Sequence, residues 1–399
     1  MEWPDGPPKV YPYSLRESKH MIAGLSEEDR MIVRTVEELA RENFDEKAFE
    51  WDGDTPWENL ELLADRGYYG LNYDPEYGGE GMSDLLALLM TEATGYVCPD
   101  TCWVVGDQHF VGPRGISVHG NEAVKEKYLP GVVSTDHRVA IAMSEPGAGS
   151  DTRAMTTTVE EDDDGYVLNG EKIWVSDVPD STAAVVWAKF EDGVGSVVMD
   201  FDAAGVEIAQ HFTNMASHHQ SQFYMEDVHI PPENVLNDGT KSFKEQLLPL
   251  NWERLASAAM SNGMAGNALE KALEYSRDRE QFGQPIGDFQ GIEWKLADMA
   301  TKLEASRTLT YRAARNAMAN DGIPDPTDTM IAKLYSAEMV EEVVTEALQV
   351  FGANGYQQGH PLEYLYRFAR GQRIAAGTDE IQRNVIARSL KRDGVPSLV

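Results

Sequence analysis

The sequence predicts an α+β protein of several domains, in which a helical domain, a small β-domain and a helical bundle follow one another. Before residue 139 and after residue 242, apolar residues recur at the spacing of amphipathic helices. Between these parts the pattern changes to short alternating strands, separated by turns rich in Asp and Gly. The expected division is an arm at 1–24, a helical domain at 25–138, a β-domain at 139–242 and a helical bundle at 243–399.

The helices of the N-terminal domain are predicted from caps and periodicity. Ser26 is a candidate N-cap, because three acidic residues follow it in what would be the positively polarised first turn. An apolar stripe then continues to about Asn43. Further helices are expected near 56–66, 83–96, 104–119 and 121–130.

The C-terminal part is predicted to be helical from Phe243 to its end. It opens with a long helix rich in Gly and Ala, whose small residues allow close packing against other helices. The remaining helices are expected near 287–320, 326–352, 361–371 and 379–392.

The composition excludes several classes of function. The chain has 67 acidic and 34 basic residues and a net charge of −33, which argues against binding to nucleic acid, because phosphate contacts need clustered Lys and Arg. No apolar run reaches the length of a membrane span, and the N-terminus lacks the features of a signal peptide. We therefore expect a cytoplasmic protein. The acidic charge suggests either a halophilic host or a surface that simply aids solubility.

The two cysteines do not predict a metal site. Cys98 and Cys102 have no His or second Cys pair arranged around them, so they are expected to be half-buried thiols near a helix end. His109 lies on an apolar helical face and is expected to be a packing residue.

Two segments of the β-domain carry the first functional signal. In residues 141–151 an apolar strand enters a turn with Pro146 and two glycines, whose backbone N–H groups suit an anionic or carbonyl-rich ligand. In residues 166–176 a strand-like alternation predicts Ile173 and Val175 on one side and Trp174 and Ser176 on the other. An exposed indole would suit a planar heterocycle, although a Trp on a strand also commonly packs in a core.

These two segments resemble the paired flavin-binding signatures of acyl-CoA dehydrogenases, a family with the same order of helical, β and helical domains. The resemblance implies FAD as cofactor, an acyl-CoA as substrate and electron-transfer flavoprotein as electron acceptor. The contacts to the flavin implied by it are Ile141, Met143, Ser144, Gly149, Ser150, Trp174, Val175 and Ser176. Ser150 is also an implied substrate contact.

Two further motifs of the C-terminal part resemble FAD-binding signatures of the same family. Residues 277–283, followed by Gln290, resemble a segment in which an Arg grips the pyrophosphate, and residues 349–356 resemble a Gly-rich partner segment. The cofactor contacts implied here are Arg279, Phe282, Gln290, Gln349, Gly352, Ala353, Thr378 and Glu380. In the family these motifs reach the flavin of a neighbouring subunit, so we expect a homo-oligomer, a dimer of dimers.

The catalytic base is expected to be Glu253. Dehydrogenation of an acyl-CoA needs a carboxylate that removes the α-proton, but the position before Gly377 where many relatives carry it holds Ala376. Glu253 instead resembles the alternative position used by isovaleryl-CoA and long-chain acyl-CoA dehydrogenases. The other interpretation is a first-turn Glu that stabilises a helix dipole.

The resemblance also implies the substrate contacts. They are Ser150, Asn251, Arg254, Ala376 and Gly377, with the backbone N–H near Ala376 serving the thioester oxyanion. Residues 215–222 depart from the family pattern, and His218 and His219 there are expected either to touch substrate or to lie in a solvated loop.

Three rival functions remain open at this stage. They are an acyl-CoA or nitroalkane oxidase on the same fold, a DNA-protecting flavin-binding relative, and a scaffold subunit. The acidic charge weakens the second, and an intact Glu253 weakens the third.

Overall fold

The computed structural model describes residues 25–240 and 246–395. The predicted arm at 1–24 and the predicted boundary between residues 242 and 243 lie outside these ranges.

The N-terminal part is helical, as predicted. Its helices are α1 (Glu27–Asn43), α2 (Trp57–Asp65), α3 (Asp84–Gly95), α4 (Pro99–Phe110), α5 (Gly112–His119) and α6 (Glu122–Val133). Ser26 caps α1: its hydroxyl accepts from the N–H of Asp29, whose carboxylate accepts from the N–H of Ser26.

The single helix expected over 104–119 is two helices. The chain bends at Val111, and α5 starts at Gly112. A Cβ at Gly112 would lie 2.0 Å from the carbonyl oxygen of Val139, so the backbone approaches the first strand where only glycine fits.

The central part is one sheet with mixed strand directions. Its strands are β1 (Val139–Ala142), β2 (Thr158–Asp162), β3 (Gly165–Ser176), β4 (Ala183–Lys189), β5 (Val194–Asp200), β6 (Val206–Thr213), β7 (His219–Ile230) and β8 (Val235–Asn237). Their order is β6-β7-β3-β2-β4-β5-β8, and β1 pairs with β4 in parallel. The long antiparallel pair β3 and β7 places the end of β3 at the site described below.

The C-terminal part is a bundle built around one long helix. Its helices are α7 (Leu248–Asp278), α8 (Gln290–Met318), α9 (Pro326–Phe351), α10 (Pro361–Gly371) and α11 (Asp379–Asp393). The expectation of unbroken helical structure is wrong at one place, where β9 (Glu280–Gln281) and β10 (Gln284–Pro285) form a hairpin between α7 and α8.

The helix α7 contacts both helical parts of the chain. It packs on α9 and α8 within the bundle and on α3 and α4 of the N-terminal part. A Cβ at Gly263 would lie 2.7 Å from the carbonyl oxygen of Glu92, so the absence of a side chain sets the close approach of α7 to α3. No helix in the described ranges is both long and apolar enough to cross a bilayer.

Candidate active site

The turn after β1 is fastened to β3 by a buried ion pair. The Glu145 carboxylate lies 2.9 Å from Nζ of Lys172, which also donates to the carbonyl of Met143. Glu145 accepts further hydrogen bonds from Thr156 and Thr157. Burial alone would raise the pKa of Glu145, but Lys172 and these donors together lower it to about 2. The turn therefore has a fixed position relative to β3.

The end of β3 does not alternate as predicted. The register shifts between Lys172 and Val175, and Trp174 has a φ of +61°. This bulge puts Lys172 and Val175 inside and leaves Trp174 exposed, so the predicted pairing of Ile173 with Val175 on one face is wrong. At the bulge the N–H of Ile173 donates to the carbonyl of Ser144, which joins β3 to the turn.

This edge of the β-domain has the open space and the flat apolar surface that a flavin needs. A Cβ added at Gly147 or Gly149 would meet no atom within 4 Å, and Ser150 is exposed. Trp174 is 54% exposed, and its ring lies 4.7 Å from that of Phe212. Ile141, Met143, Ser144 and Ser176 are half-buried, and the carbonyl of Ser144 is bonded to the N–H of Ile173, next to Trp174. Exposed glycines beside an exposed indole fit a planar cofactor, and the individual contacts to FAD stay predictions.

Glu253 lies at the start of α7 beside a fixed indole. The N–H of Trp252 donates to the carbonyl of Gly322 at 2.9 Å, and its ring stacks on Phe110. Because α7 begins at Leu248, Glu253 is in the second turn, which removes the interpretation as a first-turn dipole residue. Burial raises the pKa of Glu253, and the charges of Arg254 and Lys333 oppose the rise.

Arg254 and Asn251 hold the turn before α11. Nε of Arg254 donates to the carbonyl of Ala376 at 3.1 Å, and another nitrogen of its guanidinium donates to Asn251 at 2.9 Å. The structure thus brings Glu253 and the turn with Ala376 and Gly377 together across more than a hundred residues of sequence. These two side chains engage each other, and Arg254 also engages this turn; their predicted contact with substrate stays a prediction.

Ala376 and Gly377 are both in the left-handed region, with φ of +56° and +92°. In the described residues the N–H of Ala376 has no recorded acceptor, as a donor to a ligand oxygen requires. Thr378 caps α11 by accepting from the N–H of Ile381, and Glu380 is an exposed residue of the first turn.

The two remaining predicted FAD motifs meet at the far end of α7. Tyr275, near that end, stacks on Phe351 with ring centroids 4.0 Å apart and accepts a hydrogen bond from Asn354. Arg279 and Phe282 are in the adjoining hairpin, and Phe282 is 95% exposed. The predicted residues that share this exposed end are Arg279, Phe282, Gln290, Gln349, Gly352 and Ala353.

The two groups of predicted residues lie far apart in one chain. Glu253 and Tyr275 are near opposite ends of α7, roughly 33 Å apart at about 1.5 Å per helical residue. The proposed base and the hairpin motif therefore lie at opposite ends of this helix.

His218 is buried and not solvated. Its Nε2 lies 3.2 Å from Asp100, and its ring contacts Trp103 and Phe368. Tyr364 donates to the same carboxylate. The loop therefore joins the β-domain to α4 and α10, while His219 is half-buried near Asp54. The solvated-loop expectation is wrong for His218, because sequence periodicity does not show such long-range partners, and contact of this residue with substrate stays a prediction.

The cysteines are more deeply buried than expected. Both are free, and burial raises the pKa of Cys98 to about 12. Cys102 donates to the carbonyl of Thr91, and Thr101 donates to the sulfur of Cys98. His109 is buried as predicted, and burial lowers its pKa to about 3, so it is a neutral packing residue.

Sequence reasoning missed two charged residues near Glu253, Lys333 and Asp107. Asp107 is on α4, one turn before Phe110, and accepts a hydrogen bond from Gln108. Burial is the largest cause that raises the pKa of Asp107 to about 7, and the negative charge of Asp177 adds to it. Arg138 opposes the rise, and Glu253 contributes a smaller repulsion. Arg138 itself is paired with Asp177 at 2.8 Å.

Asp107→Asn is expected to stabilise the fold at neutral pH. The folded pKa is above the unfolded value of 3.8, so the wild type loses stability as pH rises from about 4 to about 7. A shift of this size corresponds to at most about 4 kcal/mol, and we expect a gain of about 2–4 kcal/mol at pH 8 that shrinks toward pH 5. Urea unfolding at both pH values measures it. The exposed Asp65→Asn is the control, and a gain independent of pH would contradict the assignment.

Comparison with known proteins identifies relatives over most of the chain. Family models for acyl-CoA dehydrogenases match residues 26–136 as the N-terminal domain, 140–228 as the middle domain and 237–391 as the C-terminal domain.

Individual relatives agree with this result. A mitochondrial isovaleryl-CoA dehydrogenase of Oryza sativa is 35% identical over 339 residues, which are 83% of this chain and 82% of that protein. Subunit CarC of the caffeyl-CoA reductase-Etf complex of Acetobacterium woodii is 32% identical over 92% of this chain and 98% of its own. The solved structure of butyryl-CoA dehydrogenase from Megasphaera elsdenii superposes with a TM-score of 0.86 at 30% identity, covering 92% of this chain and 99% of that one.

Proposed function

Because the chain belongs to the acyl-CoA dehydrogenase family, we propose that it oxidises an acyl-CoA to a trans-2-enoyl-CoA with Glu253 as the catalytic base. Members of this family are flavin-dependent oxidoreductases that bind FAD, so the class of enzyme and the cofactor follow from membership. The roles of individual residues are our proposal.

The residues of this chain have three tasks in the reaction. Glu253 accepts the α-proton, and its raised pKa suits a base that works near neutral pH. The N–H of Ala376 donates to the thioester oxygen as negative charge develops there. FAD, which the turn at 144–150 and residues 174–176 would hold, would supply the acceptor for the hydride that leaves the β-carbon as the double bond forms between the α- and β-carbons. Trp174 covers one side of this space and excludes water from it.

One observation carries this proposal. The hydrogen bond from Arg254 to the carbonyl of Ala376 joins the residue next to the base to the turn with the free N–H. A base and an oxyanion donor must face the same thioester, and this contact supports that arrangement. Ala376 can stand where relatives carry a Glu, because the backbone donates and the side chain is not needed.

The turn that contains Ala376 is proposed to bind the substrate, and its shape depends on Asn251, Arg254 and Gly377. Ser150 is the candidate side-chain contact from the β-domain. Thr378 and Glu380, at the start of α11, are proposed to contribute to the FAD site from the same turn. Their position beside Gly377 supports this assignment.

We propose that the enzyme is a homo-oligomer, a dimer of dimers, in which each flavin uses two chains. The separation of Glu253 from the hairpin along α7 supports this, because one FAD cannot use both ends of the helix. The hairpin end also exposes Phe282, Tyr356 and Trp294, with 95%, 80% and 61% of their surfaces accessible, as expected of an interface. In the assembly Arg279 would bind the pyrophosphate of the neighbour's FAD, since a guanidinium suits bidentate phosphate contact.

The proposed electron acceptor is electron-transfer flavoprotein. A relative that is named as part of a complex with Etf supports this choice. The cytoplasmic location expected from the N-terminal sequence stays a prediction.

Anaerobic titration of the purified protein with straight and branched acyl-CoAs tests the function. Bleaching of the flavin band by at least one thioester is expected, and its chain length and branching would define the substrate. Failure of every thioester to bleach the flavin would reject dehydrogenation. Rapid reaction of the reduced protein with oxygen would favour an oxidase instead.

High salt is expected to raise both stability and activity. The net charge of −33 repels itself and an anionic substrate, and the Debye length falls from about 8 Å at physiological salt to about 3 Å at 1 M. Melting temperature and the rate of flavin reduction should therefore rise from dilute buffer to about 1 M KCl, as in a halophilic protein. Sucrose is the control, because it favours compact states without screening charge. Full stability in dilute buffer would reject the halophilic interpretation and favour an acidic surface that simply aids solubility.

A further inference from the structure

Lys333 closes the turn that contains the proposed oxyanion donor. It lies on α9 with no accessible surface, and Nζ donates to the carbonyls of Gln372 at 2.7 Å and Gly377 at 3.1 Å. These carbonyls are at the two ends of the turn between α10 and α11. One ammonium group therefore fixes both ends at once.

The carbonyl of Ala376 is also engaged from the interior, and that of Gly377 has a second donor. Arg254 donates to Ala376, and Nε2 of Gln382 donates to Ala376 at 3.2 Å and to Gly377 at 2.8 Å. Non-glycine residues are uncommon in the left-handed region that Ala376 occupies, so the turn needs such contacts to persist. With its carbonyls held inward, the N–H of Ala376 remains available to a ligand.

Lys333 also acts on the proposed base. Its charge and that of Arg254 oppose the rise that burial causes in the pKa of Glu253. The charged groups that face Lys333 are Glu253 and Arg254 on α7, Asp379 on α11 and Arg373 in the turn. Burial lowers the pKa of Lys333 to about 8, although Asp379 and Glu253 partly offset this.

We propose that Lys333 is a positioning residue for the dehydrogenation, which orients the N–H of Ala376 toward the thioester oxygen by holding the carbonyls of Gln372 and Gly377. This inference rests on the proposed function. Lys333 does not touch substrate. It acts through the turn, and a full ammonium charge strengthens its hydrogen bonds to the two carbonyls.

The test compares Lys333→Met, which removes every donor, with Lys333→Gln, which keeps an uncharged donor. Flavin reduction is measured in anaerobic single turnovers at saturating acyl-CoA, and dissociation constants are measured by titration. Because loss of one oxyanion donor typically costs about 10²–10³ in rate, we expect the Met variant to be at least about 10-fold slower, with the Gln variant in between. The dissociation constant should change far less than the rate.

The pH profile separates positioning from mere stabilisation of the fold. In the wild type, flavin reduction should slow as pH rises through about 8 and Lys333 loses its proton. This alkaline limb should be absent from both variants. Ser336→Ala is the matched control, because Ser336 is buried one turn further along α9 and, within the described ranges, its hydroxyl bonds only to the carbonyl of Lys333.

Three results would overturn the inference. They are a wild-type rate in Lys333→Met, an alkaline limb that persists in the variants, and an equal loss of rate in Ser336→Ala. If Lys333→Met does not fold, the rate of Lys333→Gln and the pH profile of the wild type test the inference. A wild-type flavin that no acyl-CoA bleaches would reject the proposed function instead, so the two failures are distinguishable.

Discussion

Glu253→Gln is expected to slow flavin reduction by acyl-CoA at least about 10²-fold, the lower range for loss of a general base. The amide has nearly the shape of the carboxylate but cannot accept the α-proton. FAD content and substrate affinity should stay close to those of the wild type. Anaerobic stopped-flow absorbance of the flavin band in a single turnover measures the effect without a contribution from product release.

The control for this change is Glu274→Gln, on an exposed side of the same helix. It should reduce its flavin at the wild-type rate. The wild type should also lose rate as pH falls through the raised pKa of Glu253, because only the ionised carboxylate accepts the proton. A near-normal rate in Glu253→Gln would remove this residue from the mechanism.

Lys172→Met is expected to destabilise the protein by about 3–5 kcal/mol, the cost of leaving a buried charge without its partner. Lys172 has no accessible surface, and Glu145 would remain buried with only hydroxyl and amide donors. The turn at 144–151 would lose its attachment to β3, so FAD should also be lost more readily. Urea unfolding at neutral pH and fixed salt measures the first effect, and flavin fluorescence after dilution measures the second.

The double variant Glu145→Gln/Lys172→Met is the control. It removes both charges, so its loss of stability should be smaller than that of Lys172→Met alone. Equal losses, or a single-variant loss below about 1 kcal/mol, would mean that the pair contributes little beyond packing.

Several helix starts could be predicted because their signals are local, whereas the break at Val111 and the hairpin after α7 were missed. Ser26 and Thr378 are both observed N-caps, and each lies next to the residues whose backbone it satisfies. The order of helical and β parts also follows from periodicity, which depends only on nearby residues. Local signals therefore predict the order of the helical and β parts along the chain.

The candidate site could be predicted only in part, because its contacts are not local. Lys172 is followed by a bulge that a period of two does not anticipate, and its partner Glu145 precedes it by 27 residues. Lys333 resembles any helical lysine in sequence. One signal could have found it: the residues three and four positions away on α9, Thr329, Met330, Ser336 and Ala337, carry no charge and are buried, so Lys333 falls on a face that is otherwise buried.

The length of α7 has a consequence for inheritance. If each flavin is bound by both ends of this helix from different chains, a substitution in the hairpin of one chain would inactivate the site of its neighbour. A substitution near Glu253 would inactivate the chain's own site. In an oligomer that mixes normal and altered subunits, substitutions at the two ends of this helix would therefore inactivate the sites of different subunits.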